Sequence, residues 1–392
     1  PFADDLAVLV EGDSRAEIEK VGKAVVKHIV ERCSAIKLEV SESKTVGIFV
    51  KKPKVVGSKA VKINRKDCRK GGARNLKIEL GGKSISFEQS VRYLGVHFDA
   101  NLGISAHCKY LREKLVPLFS DLRKLAQCQW GLGHKALETI YKGVFVPTVC
   151  YASARWYKEG AHTDRILEDL HRQILIAITR CYRSTSYEAA CVLAGTLPIC
   201  IQLRVSVAKY HLRKGEDAEI GGVVIRRRPE GLKENYNRVL EVANEMWQAR
   251  WEASEQGNAT RELFFPDVVA RVKSDWIRPD HFTSQVLTGH GYYNEKLHQL
   301  SLAKAAACIC CGEPDNNLHF LLECPAFAEF RDELITPVSG GLEAPEATLM
   351  LVSSPEGFAA LKEYSRVAFE CKRQLENALT ESDEGLSSES EE

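Results

Sequence analysis

No stretch of this 392-residue chain stays apolar for the roughly 20 residues that a membrane-spanning helix needs. A secretory leader pattern is also missing, so the thirteen cysteines are expected as reduced thiols inside a cell and not as a disulfide framework. Charge of one sign is missing too. The formal net charge is +1, and any surface for a polyanion must therefore arise from local segregation of charge. No internal repeat is evident. The chain does not open on Met; Pro1 stands just before a pair of acids, which suggests a piece of a longer product. The length itself suffices for two or three domains, each with its own core.

What is present is concentrated near the C-terminal end. The stretch Ala307-Cys308-Ile309-Cys310-Cys311-Gly312-Glu313-Pro314-Asp315 leads on to His319, Cys324 and Pro325. Read as ligands, Cys308, Cys311, His319 and Cys324 make C-x2-C-x7-H-x4-C, three thiolates and one imidazole, which suits a closed tetrahedral structural zinc site. A Cys pair two residues apart grips an ion from one turn, and Gly312 and Pro314 supply the bend. The competing reading is a set of unliganded buried thiols. Cys310 is left over.

At the other end, residues 1–10 read PFADDLAVLV. The adjacent carboxylates Asp4 and Asp5 repel unless divalent cations sit between them and a substrate phosphate, as in nucleotidyl transfer by two magnesium ions. Consecutive strand side chains face opposite ways, so Asp4 is the expected direct magnesium ligand, with Asp5 as ligand or as support for one. A solvated loop carrying two acids is the plain alternative. An apolar Leu6 to Val10 is expected as a strand, followed by a helix that Ser14 and Glu17 open as a capping box, with the stripe Ile18, Val21, Val25, Ile29 and Cys33. Strands are expected at Ile36 to Val40 and Thr45 to Val50, then a hairpin about Gly81-Gly82.

Between them lies a basic run with Asp67 as its single acid: Lys51, Lys52, Lys54, Lys59, Lys62, Arg65, Lys66, Arg69, Lys70 and Arg74. Lys51, Lys52, Lys62, Arg65, Lys66, Arg69 and Lys70 are the expected nucleic-acid contacts, since such density suits phosphate binding driven by counterion release. A flexible solvated loop is the other reading of the same residues.

From about residue 105 the pattern turns helical. Leu111, Leu115, Leu118, Leu122 and Leu125 make one stripe; Leu137, Ile140, Tyr141 and Val144 make a second that Pro147 is expected to interrupt; Ile166, Leu170, Ile174 and Ile178 make a third. These are core stripes. Residues 213–233 read as an exposed connection, and Trp247, Arg250 and Trp251 as either a packed aromatic pair or a base-stacking platform. The tail from Thr380 to Glu392 carries six acids and no base, and is expected to lack order.

The F-A-D-D box, Lys44-Thr45 with the strand after it, and Val91-Arg92-Tyr93-Leu94-Gly95-Val96 with Asp99 resemble, in that order, the catalytic palm and primer-grip hairpin of a non-LTR, LINE-type reverse transcriptase. Tyr182-Arg183-Ser184-Thr185-Ser186, Val192-Leu193-Ala194-Gly195, the Gly289-His290-Gly291 segment and the terminal Cys-Cys-His-Cys motif resemble the insect, ribosomal-gene-inserting, type-1 branch of these elements, and the likeness extends over about residues 1–335. The fold it implies is α+β: the C-terminal part of a palm (1–102), a helical thumb and connection (103–215), a nucleic-acid-binding region with a small zinc-knuckle-like module (216–335), and a C-terminal helix with an acidic tail (336–392).

The activity implied is RNA-directed DNA polymerase, with Mg2+ at Asp4 and Asp5, structural Zn2+ at the cysteine motif, and element RNA, target DNA as primer and deoxynucleoside triphosphates as partners, in the nucleus. Phe2 stands where Tyr is commoner in the family. The family also uses an aspartate on an earlier palm strand, and its endonuclease lies N-terminal to the polymerase, so this stretch alone is expected to be incomplete for catalysis. The alternatives are a non-catalytic zinc and nucleic-acid-binding region, or one associated with cleavage of target DNA.

Overall fold

The computed structural model describes residues 5–50, 55–56, 59–60, 76–100, 103–125, 132–228 and 231–388; at 55, 56, 59, 60 and 379–388 it describes the backbone only. Asp4 and the basic contacts Lys51, Lys52, Lys62, Arg65, Lys66, Arg69 and Lys70 lie outside the described side chains. The chain divides into two compact units, residues 1–111 and 112–392. It is mostly helical, and among the described residues every sheet is a two-stranded ladder.

In the first unit, helix Arg15–Ala35 begins where the capping box requires. The Ser14 hydroxyl accepts the Glu17 N–H at 3.2 Å, and the Glu17 carboxylate accepts the Asp13 N–H at 3.0 Å. Its stripe residues are only half covered and Gly22 is the one residue fully buried. Strand Val46–Ile48 pairs in parallel with Ser86–Glu88, Val46 opposite Ser86. Two tight hairpins follow the sequence signals. Gly81 and Gly82, at φ of 58° and 83°, link Glu79–Leu80 to Lys83–Ser84, and Leu94 and Gly95, at 47° and 82°, link Ser90–Tyr93 to Val96–Asp99. Both central residues at positive φ match the twist of a two-residue hairpin.

Two expected strands are not formed. Residues 6–12 and 38–41 have no regular structure, and Leu9 is 81% exposed. A strand exists only as one side of a hydrogen-bonded ladder, and among the described residues neither segment has a partner strand.

Two of the stripes fold as helices, Ser105–Leu125, which begins in the first unit, and Ala161–Thr179 in the second; the first buries Leu111, Leu115 and Leu122 together with Phe119 but leaves Leu125 48% exposed, and the other buries Leu170, Ile174 and Ile178. The unit's centre is the packing of Ala161–Thr179, Tyr187–Ala194, Ile199–Lys214 and Leu232–Glu252. Trp247 and Trp251 are completely buried there, so they are core and not a stacking platform. Arg250 is tied to Glu168 and Glu188.

Three further expectations need correction. Pro147 does not interrupt its helix: His134–Ile140 runs through a π turn, Tyr141–Phe145, into Val146–Cys150. The wide turn has Val146 N–H bonding Tyr141 O, which shifts the carbonyl that the proline ring would strike in a regular α-helix. Residues 213–233 are not a bare connection, because Ala218–Ile220 and Val223–Ile225 form a hairpin that buries Ala218, Ile220 and Ile225. The final helix, Pro355–Ser388, carries helical backbone eight residues beyond Thr380; adding residues to an existing helix costs little beside nucleating one.

Candidate metal centre

The segment after helix Asn294–Gln299 has little regular structure, and a few backbone bonds shape it. Ala307 bridges Pro314 in antiparallel fashion, Cys308 N–H donates to Glu313 O at 2.7 Å, and Gly312 N–H returns to Cys308 O at 2.9 Å. Gly312 sits at φ +81°, a left-handed conformation that glycine adopts without Cβ strain. The resulting loop turns Cys308 and Cys311 to the same side. Asn316 then caps the next turn, its side-chain oxygen accepting the N–H groups of Leu318 and His319 at 3.1 and 3.0 Å. His319–Glu323 is a π turn that closes with Cys324 N–H on His319 O at 2.7 Å.

These turns bring the four expected ligands together. One donor atom each from Cys308, Cys311, His319 and Cys324 falls within 4.8 Å of the other three. Cys308 Sγ is 3.9 Å from Cys324 Sγ, and Cys311 Sγ is 3.2 Å from His319 Nε2. Ligands on a tetrahedral zinc, bound at about 2.3 Å through sulfur and 2.0–2.1 Å through nitrogen, stand about 3.5–3.8 Å apart. The donor set therefore fits zinc in type, number and spacing. His319 presents Nε2 to the cluster while Nδ1 faces Glu323 at 3.6 Å, the outward polar contact that orients a metal-binding imidazole. Burial, with Cys308 and Cys311 nearby, pushes the Cys324 thiol up to about 12. Crowded thiols resist ionising together unless a cation balances them. Cys310 is exposed, and burial of its sulfur with Cys308 beside it pushes it up to about 11.

A polar and aromatic frame that sequence reasoning missed holds this loop against the helical unit. Asp315, one residue past Pro314, is buried; its carboxylate accepts the Asn294 N–H at 2.7 Å and pairs with Lys372 Nζ at 2.6 Å. Lys372 also donates to Tyr292 O at 2.7 Å and lies over the rings of Tyr292 and Tyr293, at 5.6 and 5.4 Å from their centroids. One signal was available. In the final helix Leu361, Tyr364, Ala368 and Phe369 form a buried stripe, and Lys372 continues it where an apolar residue would be expected. Phe320, inside the ligand loop, stacks on Phe369 at 4.4 Å, and Tyr364 donates to Phe320 O at 2.5 Å. Arg331 donates to Cys324 O at 2.7 and 3.3 Å.

The Gly289-His290-Gly291 segment packs on the Tyr182–Ser186 stretch. His290 Nδ1 is 3.0 Å from Ser184 Oγ, and Tyr292 N–H donates to the Gln285 side chain at 2.8 Å. Neither His281 nor His290 joins the metal cluster. At the other end of the chain, Asp5 is exposed.

A mostly helical protein with a closed three-Cys, one-His knuckle seated on its final helix is the class that fold and site define. The chain belongs to the Pol polyproteins of type-1 retrotransposable elements of the R1 kind. It is 30% identical over 357 residues to the "Retrovirus-related Pol polyprotein from type-1 retrotransposable element R1 3" of Nasonia vitripennis, with 84% of this chain and 86% of that relative covered. It is 29% identical over 335 residues to the R1 2 polyprotein of the same wasp, covering 78% of that relative. Against the R1 polyprotein of Bradysia coprophila it is again 29% identical over 335 residues, but spans 32% of that relative's length. No family model and no solved structure matches the chain.

Proposed function

We propose that this chain is part of an RNA-directed DNA polymerase that copies element RNA into DNA at a chromosomal target. The single observation that carries this reading is the likeness to R1 Pol polyproteins over 84% of the chain. Asp4 and Asp5 would hold magnesium, which when bound offsets charge on the incoming triphosphate and activates the primer 3′ hydroxyl. Asp5, exposed, is available to such an ion. Completion of that site needs a carboxylate from an earlier strand of the polyprotein. Element RNA, primer DNA and deoxynucleoside triphosphates are the substrates proposed, and the nucleus is the proposed place of action.

The zinc-knuckle module would bind nucleic acid by the surface that its metal stiffens. Its four ligands leave no open position, so its metal is structural and not a Lewis acid for cleavage. A second reading is a region that binds nucleic acid without catalysis; it is supported by the Cys308, Cys311, His319 and Cys324 group, whose four donors leave no open position for a reacting ligand.

Primer extension on an RNA template separates the two. In a chain extended upstream to include the earlier palm strands, Asp5→Asn is expected to lower extension by about a hundredfold or more, since removing one preorganised charge partner costs a few kcal/mol of transition-state stabilisation. Undiminished extension by a folded Asp5→Asn protein would remove the acid pair from the reaction.

A further inference from the structure

Away from the knuckle, the second unit has a cavity of about 330 Å³ lined by Gly133, His134, Lys135, Arg180, Arg278, Pro279, Asp280 and Lys362. Its charge is one-sided, four cationic side chains against a single carboxylate. That carboxylate is already committed: Asp280 caps helix His281–Thr288, accepting the Thr283 N–H at 2.9 Å and its hydroxyl at 2.8 Å, and it faces Lys362 at 3.4 Å. The cations come from four separate places in the chain. Arg180 lies just past the end of Ala161–Thr179 at φ +55°, held by a bond from Nη2 to Leu132 O at 3.1 Å. Like charges converging in one concavity repel each other, and such an arrangement is relieved by an anion.

His134 is the second, independent sign. It lines the same cavity, and both its ring nitrogens are buried with no hydrogen-bond partner, a state that costs free energy unless a ligand or proton carrier satisfies it. Burial, reinforced by Arg271, Arg278 and Lys362 and opposed by Glu138, pushes its pKa down to about 4. Tyr182, two residues after Arg180, has its ring 5.4 Å from that of His281, next to Asp280, and Tyr182 is 39% exposed. A cationic socket with a neighbouring exposed ring is the combination that tracks a backbone phosphate and stacks a base of a single strand.

We propose that this cavity is a phosphate-binding socket for a single-stranded nucleic acid, in which Lys135, Arg180, Arg278 and Lys362 hold one backbone phosphodiester and Tyr182 faces the adjoining base. The inference rests on the nucleic-acid reading above only for the source of the phosphate. Free phosphate or a mononucleotide offers the same chemistry, and the test separates them.

The test is fluorescence anisotropy of a labelled single-stranded oligonucleotide titrated with the full chain at several salt concentrations. The double variant Lys135→Gln, Arg278→Gln is expected to bind about tenfold more weakly and to lose up to roughly 0.7 from the slope of log affinity against log salt, the share of one phosphate contact on a single strand. The pair Lys135→Arg, Arg278→Lys keeps the charge and is expected to keep the slope. In parallel, His134, assigned by His134→Gln, is expected to titrate at higher pH when the oligonucleotide is present. Wild-type binding with unchanged slope and affinity in the double Gln variant would overturn the socket, as would a His134 signal that inorganic phosphate moves and the oligonucleotide does not. A wild-type chain that binds no oligonucleotide at all would instead sink the nucleic-acid reading from which the source of the phosphate is taken.

Discussion

At the scale of single residues, the most consequential are polar groups placed where water is absent. His171 is completely buried, its Nε2 3.0 Å from Tyr141 Oη and its Nδ1 2.8 Å from Tyr187 Oη, and burial holds its pKa down at about 3. The folded protein keeps this ring neutral, while in the unfolded chain it takes a proton near 6.5. Between those values the unfolded state binds more protons, so stability is complete above about pH 6.5 and falls as the pH drops through that value toward 3. His107, His134 and His290 are pushed the same way, each to about 4. Urea unfolding at pH 7 and pH 5 is expected to show a lower midpoint at pH 5, with His171 alone contributing at most about 1.4 kcal/mol per pH unit. An equal midpoint at both values would mean that these rings are already charged or exposed. The grouping of Cys308, Cys311, His319 and Cys324 was legible residue by residue, because C-x2-C followed by H-x4-C is local. The Asp315–Lys372 pair was not, because its members are 57 positions apart.

At the scale of elements, local periodicity found helices Arg15–Ala35, Ser105–Leu125 and Ala161–Thr179, and local turn chemistry found the Gly81-Gly82 hairpin, where each signal is contained in the segment itself. It failed where a partner decides. Leu6 to Val10 has strand composition, but among the described residues it has no strand beside it. The hairpin at Ala218–Ile225 was hidden in a stretch rich in glycine and charge, since its three buried residues find their cover on the flanking helices Ile199–Lys214 and Leu232–Glu252 and not within the stretch itself. Pro147 broke no helix because a π turn absorbs it. The docking of the final helix is the clearest case. Lys372 is 2% exposed and its partner Asp315 equally so, and removing one member of a buried ion pair leaves the other charged without compensation. Lys372→Met is therefore expected to cost about 3–5 kcal/mol, and Lys372→Met with Asp315→Asn to recover part of it. Thermal unfolding of the two variants checks this; a single variant as stable as the wild type would show that the helix is held by Phe320, Phe369 and Tyr364 alone.

At the scale of the whole molecule, the order of the motifs along the chain carried more than any one of them, and the family it pointed to is the one the chain belongs to. The segment has few apolar residues of its own between 306 and 319, so its shape rests on the frame that Asp315, Phe320 and Arg331 supply and is expected to depend also on an ion held by the Cys-Cys-His-Cys group. Binding energy for a structural zinc is folding energy for such a segment. The most direct measurement is zinc per chain in the purified wild type and in five single variants. One equivalent is expected in the wild type and in Cys310→Ser, and loss of that equivalent in Cys308→Ser, Cys311→Ser, His319→Ala and Cys324→Ser. A full equivalent retained by Cys324→Ser, or lost by Cys310→Ser, would contradict the ligand set.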